Sequence, residues 1–392
     1  MIVTIVSDVL GAANNGTTIA CLNLVHSLKA KGHEVRIVCP DADKKGTLNY
    51  FVVPTISFGP FDSIVEANGV VLAKGDPLIL MRAIKDADEV HIMMPFILGR
   101  KAVEVAKFLH KPVSAGFHVQ AENVTAHFFF FIHWGWLNHL VYVNFYKRFY
   151  RKIDAVHYPT QFIRDVFERE CGHKTNGYVI SNGVSKEFRK RDIVRPKELE
   201  GKFIIICTGR YSKEKNQAVL IEAVGKSKYN KDIQIILAGE GPRHNELKRL
   251  SDKVLANPCM FRFYSRSELV DALSICDLYV HSSDVEIEAI SCLEAISTGL
   301  VPLINDSPLS ATRYFGLGEN NLFKRNSATS LCEKIEYWIE HPEEKAECAK
   351  EYAGFSKQFD FDYCMEQMEK MIIETAKKGV KANEGTKEAL LS

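Results

Sequence analysis

The sequence predicts an α/β protein made of two doubly wound, parallel-sheet domains in tandem. Three observations carry that expectation. Short, unbroken apolar runs of the kind buried on both faces alternate with helix-length amphipathic segments through both halves of the chain. Each half opens with a strand that runs into a glycine-bearing loop and then a helix. A polar, highly charged stretch with Pro196 separates the halves. A chain of 392 residues has the length for two such cores. The expected boundaries are a first domain at residues 1–185, a linker at 186–200, a second domain at 201–355, a long helix at 356–380 and a flexible polar tail at 381–392.

Bulk properties narrow the function classes. Hydrophobic residues make up 46% and charged residues 25%, the balance of a globular protein. The formal net charge of +1 gives no overall attraction to nucleic acid, so none is expected as a partner. Ten cysteines are scattered without a C-x-x-C pair or a metal-ligand cluster. They read as reduced, buried thiols of a cytosolic protein. Residues 1–7 lack a basic leader and read as a first strand, not a signal peptide. The sequon at Asn123 and Thr125 then carries no glycan.

Taken in order, residues 2–6 form the first strand and Gly11 to Gly16 the following loop. A helix pattern covers residues 17–31 and the next strand 32–39. This is a βαβ opening without the G-x-G-x-x-G fingerprint of dinucleotide folds. Gly11 and Gly16 serve either turn geometry or close approach of a ligand to the backbone. Residues 87–93 and 112–118 are further strands, with a helix at 99–109 between them. The second of these strands ends at a polar cluster beginning with His118, at the sheet edge where such folds bind ligands. His118 is thus a candidate for touching a sugar or an acceptor, or else a histidine satisfied by backbone.

Residues 128–146 contain no Asp, Glu, Lys or Arg and include Phe129, Trp134 and Trp136. Their histidines and asparagines argue against a membrane span. Two readings stay open: a lipid-facing interfacial element, or an ordinary core or interdomain helix. The basic flank of Lys147, Arg148, Arg151 and Lys152 suits anionic headgroups and brings the first level with the second. Peripheral placement on the inner face of the cell membrane is the matching expectation. Thr160 is placed to cap a helix at 161–170.

In the second half, the strand at 203–207 leads into Gly209, Arg210 and Lys215 ahead of a helix. A diphosphate leaving group needs its charge neutralised, for which Arg supplies a fork and Lys a point charge. The strand at 234–238 runs into Gly239-Glu240-Gly241-Pro242. The strand at 278–282 precedes a loop with Glu286 and a helix with Glu294, closed by Thr298-Gly299. A strand end, a loop and a helix N-terminus together favour an anion, and the two carboxylates suit hydroxyls.

Gly209-Arg210 through Glu214-Lys215-Asn216 resembles the Gly-Arg-x-x-x-Glu-Lys-Asn motif of family 4 glycosyltransferases. Gly239 to Pro242 is similar to their Gly-x-Gly-Pro turn, Ser181-Asn182-Gly183-Val184 to their interdomain signature, and Glu286 with Glu294 to their Glu-x7-Glu pair. The resemblance implies a GT-B fold, two Rossmann-like domains with a cleft between them, the first binding acceptor and the second a nucleotide sugar. It implies that Arg210 and Lys215 hold the donor diphosphate, with Gly16 and the backbone of Ile287, Glu288 and Ala289 beside it. Glu286 would contact the donor sugar, Glu294 and Gly239 the nucleoside, and His118 the sugar from the first domain. The last long helix would cross back to the first domain. No metal or cofactor is expected; the nucleotide sugar is a substrate.

The chain departs from the family at Ile287-Glu288-Ala289, where Gly-Phe-Gly is common. Glu288 is electrostatically awkward beside a phosphate unless it turns away or grips a hydroxyl. The run from Glu286 to Glu294 and the segment from Asn305 to Thr312 look more like the 1,2-diacylglycerol 3-glucosyltransferase group. The expected activity is retaining transfer of a hexose, UDP-sugar favoured, to a lipid hydroxyl. A soluble or polysaccharide acceptor, a hydrolysing epimerase and a catalytically silent nucleotide-sugar-binding protein are the rivals.

Overall fold

The computed structural model describes residues 1–8, 10, 16–56, 73–122 and 135–391, with side chains given to residue 379. The chain divides into two compact units. The first comprises 1–182 and 364–392, and the second 183–363.

The first unit is built on a seven-stranded sheet. Its strands are β1 (Ile2–Val6), β2 (Glu34–Cys39), β3 (Tyr50–Val52), β4 (Glu89–Ile92), β5 (Val113–Gly116), β6 (Ala155–Tyr158) and β7 (Gly177–Val179), in the order β3-β2-β1-β4-β5-β6-β7. Every pairing is parallel. Val3, Ile5, Ile37, Val90, Ile92, Val113 and Ala115 are fully buried. Strands covered on both faces in this way explain the continuous apolar runs.

The second unit repeats the plan with six strands. They are β8 (Phe203–Thr208), β9 (Ile233–Ala238), β10 (Met260–Arg262), β11 (Leu278–His281), β12 (Pro302–Asp306) and β13 (Leu322–Lys324), in the order β10-β9-β8-β11-β12-β13. All are again parallel. In each sheet the strand order reverses beside the first strand, at β1/β4 and at β8/β11. Such a switch point opens a crevice at the carboxyl ends of the strands, where open α/β sheets take their ligands.

The expectation of two doubly wound parallel sheets therefore holds. Local signals hold as well. Thr160 Oγ1 accepts the Ile163 N–H and caps the helix Gln161–Cys171. The helix Ile290–Ser297 ends at Thr298, with Gly299 in the left-handed region at φ 86°.

Two segments differ from their sequence reading. Residues 186–200 lie within the second unit's body: Phe188 and Leu199 are buried in its core. Arg191 pairs with Asp271 at 2.7 Å and Arg195 with Asp277 at 2.6 Å. Charge density there reflects fixed ion pairs rather than solvation. The final helix runs Phe361–Leu391, taking in most of the stretch read as a tail. It also belongs to the first unit from Cys364 on, where Glu369 accepts from Lys31 Nζ at 2.5 Å and lies 2.8 Å from His33 Nε2.

Candidate active site

Three loops leave adjacent strands at one edge of the second sheet. They follow β9, β8 and β11, and carry Gly239, Gly209 to Lys215, and Glu286. The first two are locked by backbone contact. Gly209 N donates to Ala238 O at 2.9 Å and Tyr211 N to Glu240 O at 2.8 Å. A Cβ on Gly239 would lie 2.1 Å from Gly209 O, so no larger residue fits there without moving the loop.

The loop after β8 is then tied to the loop after β11. Ser282 Oγ donates to Lys215 O at 2.7 Å, and Asp284 N donates to Glu214 O at 2.8 Å. Asp284 in turn receives both Nε and Nη2 of Arg325, at 2.7 and 2.6 Å. Asn216, Ala289 and Asn326 adopt left-handed backbone at φ 46°, 61° and 55°. Asn216 Nδ2 donates to Asn326 Oδ1 at 3.1 Å. Backbone strain gathered in one place by specific ties is a frequent mark of a working site.

At the centre Lys215 Nζ donates to Glu286 Oε1. The Lys215 side chain runs along Gly209, with Cδ and Cε each 3.7 Å from the position of a Cβ there. His281 Nε2 stands 3.4 Å from the same Glu286 oxygen. Burial alone would raise the Glu286 pKa. The Lys215 charge and His281 outweigh it and hold the carboxyl at about 2. Burial opposes the charge on Lys215 too, yet Glu286 keeps its pKa above the ordinary value. The result is a half-buried, ionised pair at the switch point.

Glu294 lies inside the helix Ile290–Ser297 and has no such partner. Burial pushes its carboxyl up to about 7, against the milder pull of Arg266, which is itself paired with Glu187. Ala289 is the N-cap of that helix and Glu288 before it is buried. The structure thus gathers Gly209, Lys215, Gly239 and Glu286 closely and sets Glu294 on the helix that follows. Arg210 accepts at its carbonyl from Gln217 Nε2 at 2.9 Å and shares the same loop.

The first unit holds the other candidates. Gly16 opens the helix Gly16–Ala30. His118 follows β5, with its ring 5.4 Å from that of His157 and its Nε2 2.3 Å from where a Cβ on Gly116 would be. Burial, then His157 and His91, keep the His118 pKa well below the usual value. Behind it lies a network that sequence reasoning missed. Glu89 Oε1 accepts from Ser114 N at 2.9 Å and also from Ser114 Oγ, whose oxygen is 2.7 Å from His91 Nδ1. Burial raises Glu89 to about 8 and lowers His91 to about 3 and His157 to about 4. The one available signal was polar residues inside apolar strands.

Trp136 is 60% exposed and Leu140 51% exposed on the helix Gly135–Arg148, and Lys147 and Arg148 are exposed at its end. The core-helix reading of this stretch fails at those positions, although Tyr142 and Phe145 are buried. Phe129, Trp134, Gly11 and the sequon at Asn123 lie outside the described residues. Among the described residues no helix is long and apolar enough to cross a membrane, and no group of three or more His, Cys, Asp or Glu is placed to hold a metal ion.

Two doubly wound parallel-sheet units in one chain are the architecture of GT-B glycosyltransferases. Residues 14–188 match the sequence model described as Glycosyltransferase Family 4, and residues 188–354 that described as Glycosyl transferases group 1. The chain belongs to glycosyltransferase family 4. The glycosyltransferase from Rickettsia africae superposes with a TM-score of 0.73 over 97% of this chain and 98% of its own, at 17% identity, which speaks for the fold. The alpha-monoglucosyldiacylglycerol synthase of Streptococcus pneumoniae is 26% identical over 256 residues, 60% of this chain. That match spans 57% of the synthase's own length. The GDP-mannose-dependent alpha-mannosyltransferase of Corynebacterium glutamicum is 24% identical over 323 residues, 78% of this chain and 72% of the relative.

Proposed function

We propose that the protein is a retaining hexosyltransferase that moves a sugar from a nucleoside diphosphate donor, UDP-sugar favoured, to a hydroxyl of a membrane lipid such as diacylglycerol. The observation that carries this reading is the half-buried Lys215–Glu286 ion pair at the β8/β11 switch point. Lys215 and Arg210 neutralise the diphosphate as its bond to the sugar weakens, which lowers the barrier where charge develops. The backbone N–H groups of Ile287, Glu288 and Ala289 lie along the same diphosphate. Glu286, anionic at any physiological pH, accepts hydrogen bonds from donor-sugar hydroxyls. Glu294 and Gly239 take the nucleoside, with the Glu294 carboxyl on the ribose. The acceptor hydroxyl attacks the anomeric carbon on the face the diphosphate leaves, and a diphosphate oxygen takes its proton. Configuration is retained without a covalent sugar–enzyme bond. No metal enters this scheme.

The lipid acceptor is supported by the exposed Trp136 and Leu140 beside Lys147 and Arg148. An apolar face with a cationic end suits an anionic bilayer surface at the inner face of the cell membrane. The named activity of the pneumococcal relative agrees with it. A GDP-mannose donor is the second reading, favoured by the longer match to the corynebacterial relative.

Thermal melting with UDP- and GDP-hexoses tests donor choice, because a ligand at 100 times its Kd stabilises by about 2.7 kcal/mol. UDP-glucose is expected to raise the Tm, and a lipid extract is expected to release UDP from it. A rise with GDP-mannose alone transfers the assignment to that donor. A rise without nucleotide release in any acceptor mixture means a binding protein and removes the enzyme reading.

A further inference from the structure

Lys215 and Glu286 stand on separate loops, and one turn at the edge of the second sheet reaches both. The turn is Arg325 and Asn326, directly after the outermost strand β13. Arg325 grips the two oxygens of Asp284 as a fork, Nε on one and Nη2 on the other. Such a planar, two-point match fixes direction as well as distance, which a lysine cannot do. Asp284 lies two residues before Glu286, and its side chain is 13% exposed. Its own N–H donates to Glu214 O, the residue before Lys215. Ser283 Oγ donates to the same carbonyl at 3.3 Å. The fork therefore ends at the point where the β8 loop and the β11 loop touch.

Asn326 holds the β8 loop from its far side. Its Oδ1 accepts from Asn216 Nδ2 at 3.1 Å and from Asn305 Nδ2 at 3.3 Å, and its N–H donates to Asn305 Oδ1 at 2.9 Å. Asn305 is in β12, is fully buried and also donates to Ser283 O at 3.2 Å. Three side-chain amides thus join the β8 loop, β12 and the edge turn. Asn216 follows Lys215 directly, and both it and Asn326 have left-handed backbone, which asparagine visits more readily than most residues.

We infer that Arg325 and Asn326 are positioning residues of the donor site: from one turn outside the quoted motifs they set the two loops that bring Lys215 onto Glu286. The donor's part in this rests on the proposed function. The ties themselves rest on the hydrogen bonds from Arg325 to Asp284 and from Asn326 to Asn216 and Asn305. Both residues act through others: Arg325 through Asp284, Asn326 through Asn216.

The test compares Arg325→Lys, Arg325→Ala and Asn326→Gly in the full chain. Lysine keeps the charge and loses the fork. Glycine takes the left-handed turn readily, so Asn326→Gly keeps the backbone and loses only the amide. Hydrogen exchange without ligand, read by mass spectrometry, supplies a measure that needs no turnover. Peptides spanning 209–217 and 282–288 are expected to exchange at least about 10-fold faster in Arg325→Ala, with a smaller gain in the other two. Peptides from β8 itself, 203–208, should keep their native rate. Misplacing groups at a reacting centre by about 1 Å can cost about 100-fold. With the donor that melts highest, kcat is expected to fall about 100-fold for Arg325→Ala and about 10-fold for Arg325→Lys and Asn326→Gly. In a Lys215→Ala background the Arg325→Lys change should cost less than about 2-fold more, because the group it positions is gone. A purely structural loss would lower the rate equally in both backgrounds.

Unchanged exchange in the two loops overturns the inference. So does faster exchange in which β8 shares equally, since that is general loosening. Faster loop exchange with native kcat in all three variants overturns it as well. Failure of the wider functional reading looks different. In that case the native protein itself would transfer no sugar from any donor, while the exchange pattern would stand.

Discussion

The two units place a carboxylate beside histidine in opposite ways. In the second, Glu286 accepts from Lys215, with His281 Nε2 3.4 Å away, and its pKa is held at about 2. In the first, Glu89 meets only Ser114, and burial keeps its proton on up to about pH 8. Glu89 lies in β4 and Glu286 in the loop that follows β11, in two units of the same plan. The contrast teaches that the sheet does not set the charge state. A single cation reaching over from the neighbouring strand's loop does.

The strongest way to break the contrast is Lys215→Ala. It leaves Glu286 half-buried without its main counter-charge and removes the cation proposed to meet the diphosphate. Turnover should fall by at least about 100-fold, as for loss of one preorganised charge at a transition state. The Tm should drop less than for a core deletion, and a melt that shows global unfolding would deny the lysine its role.

Glu89→Gln sharpens the comparison from the other side. The folded pKa of about 8 exceeds the ordinary 4.5, so the native group favours folding while protonated. That contribution is complete below pH 4.5 and is lost as pH rises through 8. Native stability should therefore decline by about 1–3 kcal/mol across this window, and Glu89→Gln should flatten it. Urea titrations at pH 5 and pH 8.5 read the difference. Parallel curves for the two proteins would place the proton elsewhere. Glu286, with its pKa depressed, must show the reverse sign: its stabilisation is present above pH 4.5 and fades toward 2.

The smallest effect concerns the loop between the two acids. Ala289 holds φ 61° and ψ 69°, which costs an alanine about 1 kcal/mol that glycine escapes. Ala289→Gly should raise stability by up to about 0.5–1 kcal/mol in denaturant unfolding. A loss of stability would mean that the Ala289 methyl packs well enough to offset its strain.

Much of this was legible in the chain itself. Buried parallel strands write unbroken apolar runs, so β1, β8, β9 and β11 stood out. The loops with Lys215 and Glu286 carried motifs whose spacing survives in one dimension. His281 was not legible, because its meaning depends on β11 lying beside β8, and that neighbour relation comes from strand order, not from spacing. Glu89, His91 and Ser114 are a similar case: only the β4/β5 register puts His91 opposite Ser114. The segment at 186–200 misled because a charge run looks the same whether it is solvated or, as with Arg191 and Arg195, pinned to aspartates. The helix that continues to Leu391 shows propensity and neighbours overriding a polar composition.

The first unit is discontinuous, and this bears on how the protein is born. Met365, Met368, Met371 and Ile372 complete its interior, yet the whole of residues 183–363 is translated before them. On the ribosome the second unit can close while the first still waits, partly uncovered, for its last helix. The N-terminal sheet is made first and finished last, so it is the part of this polypeptide most in need of a chaperone's protection during synthesis.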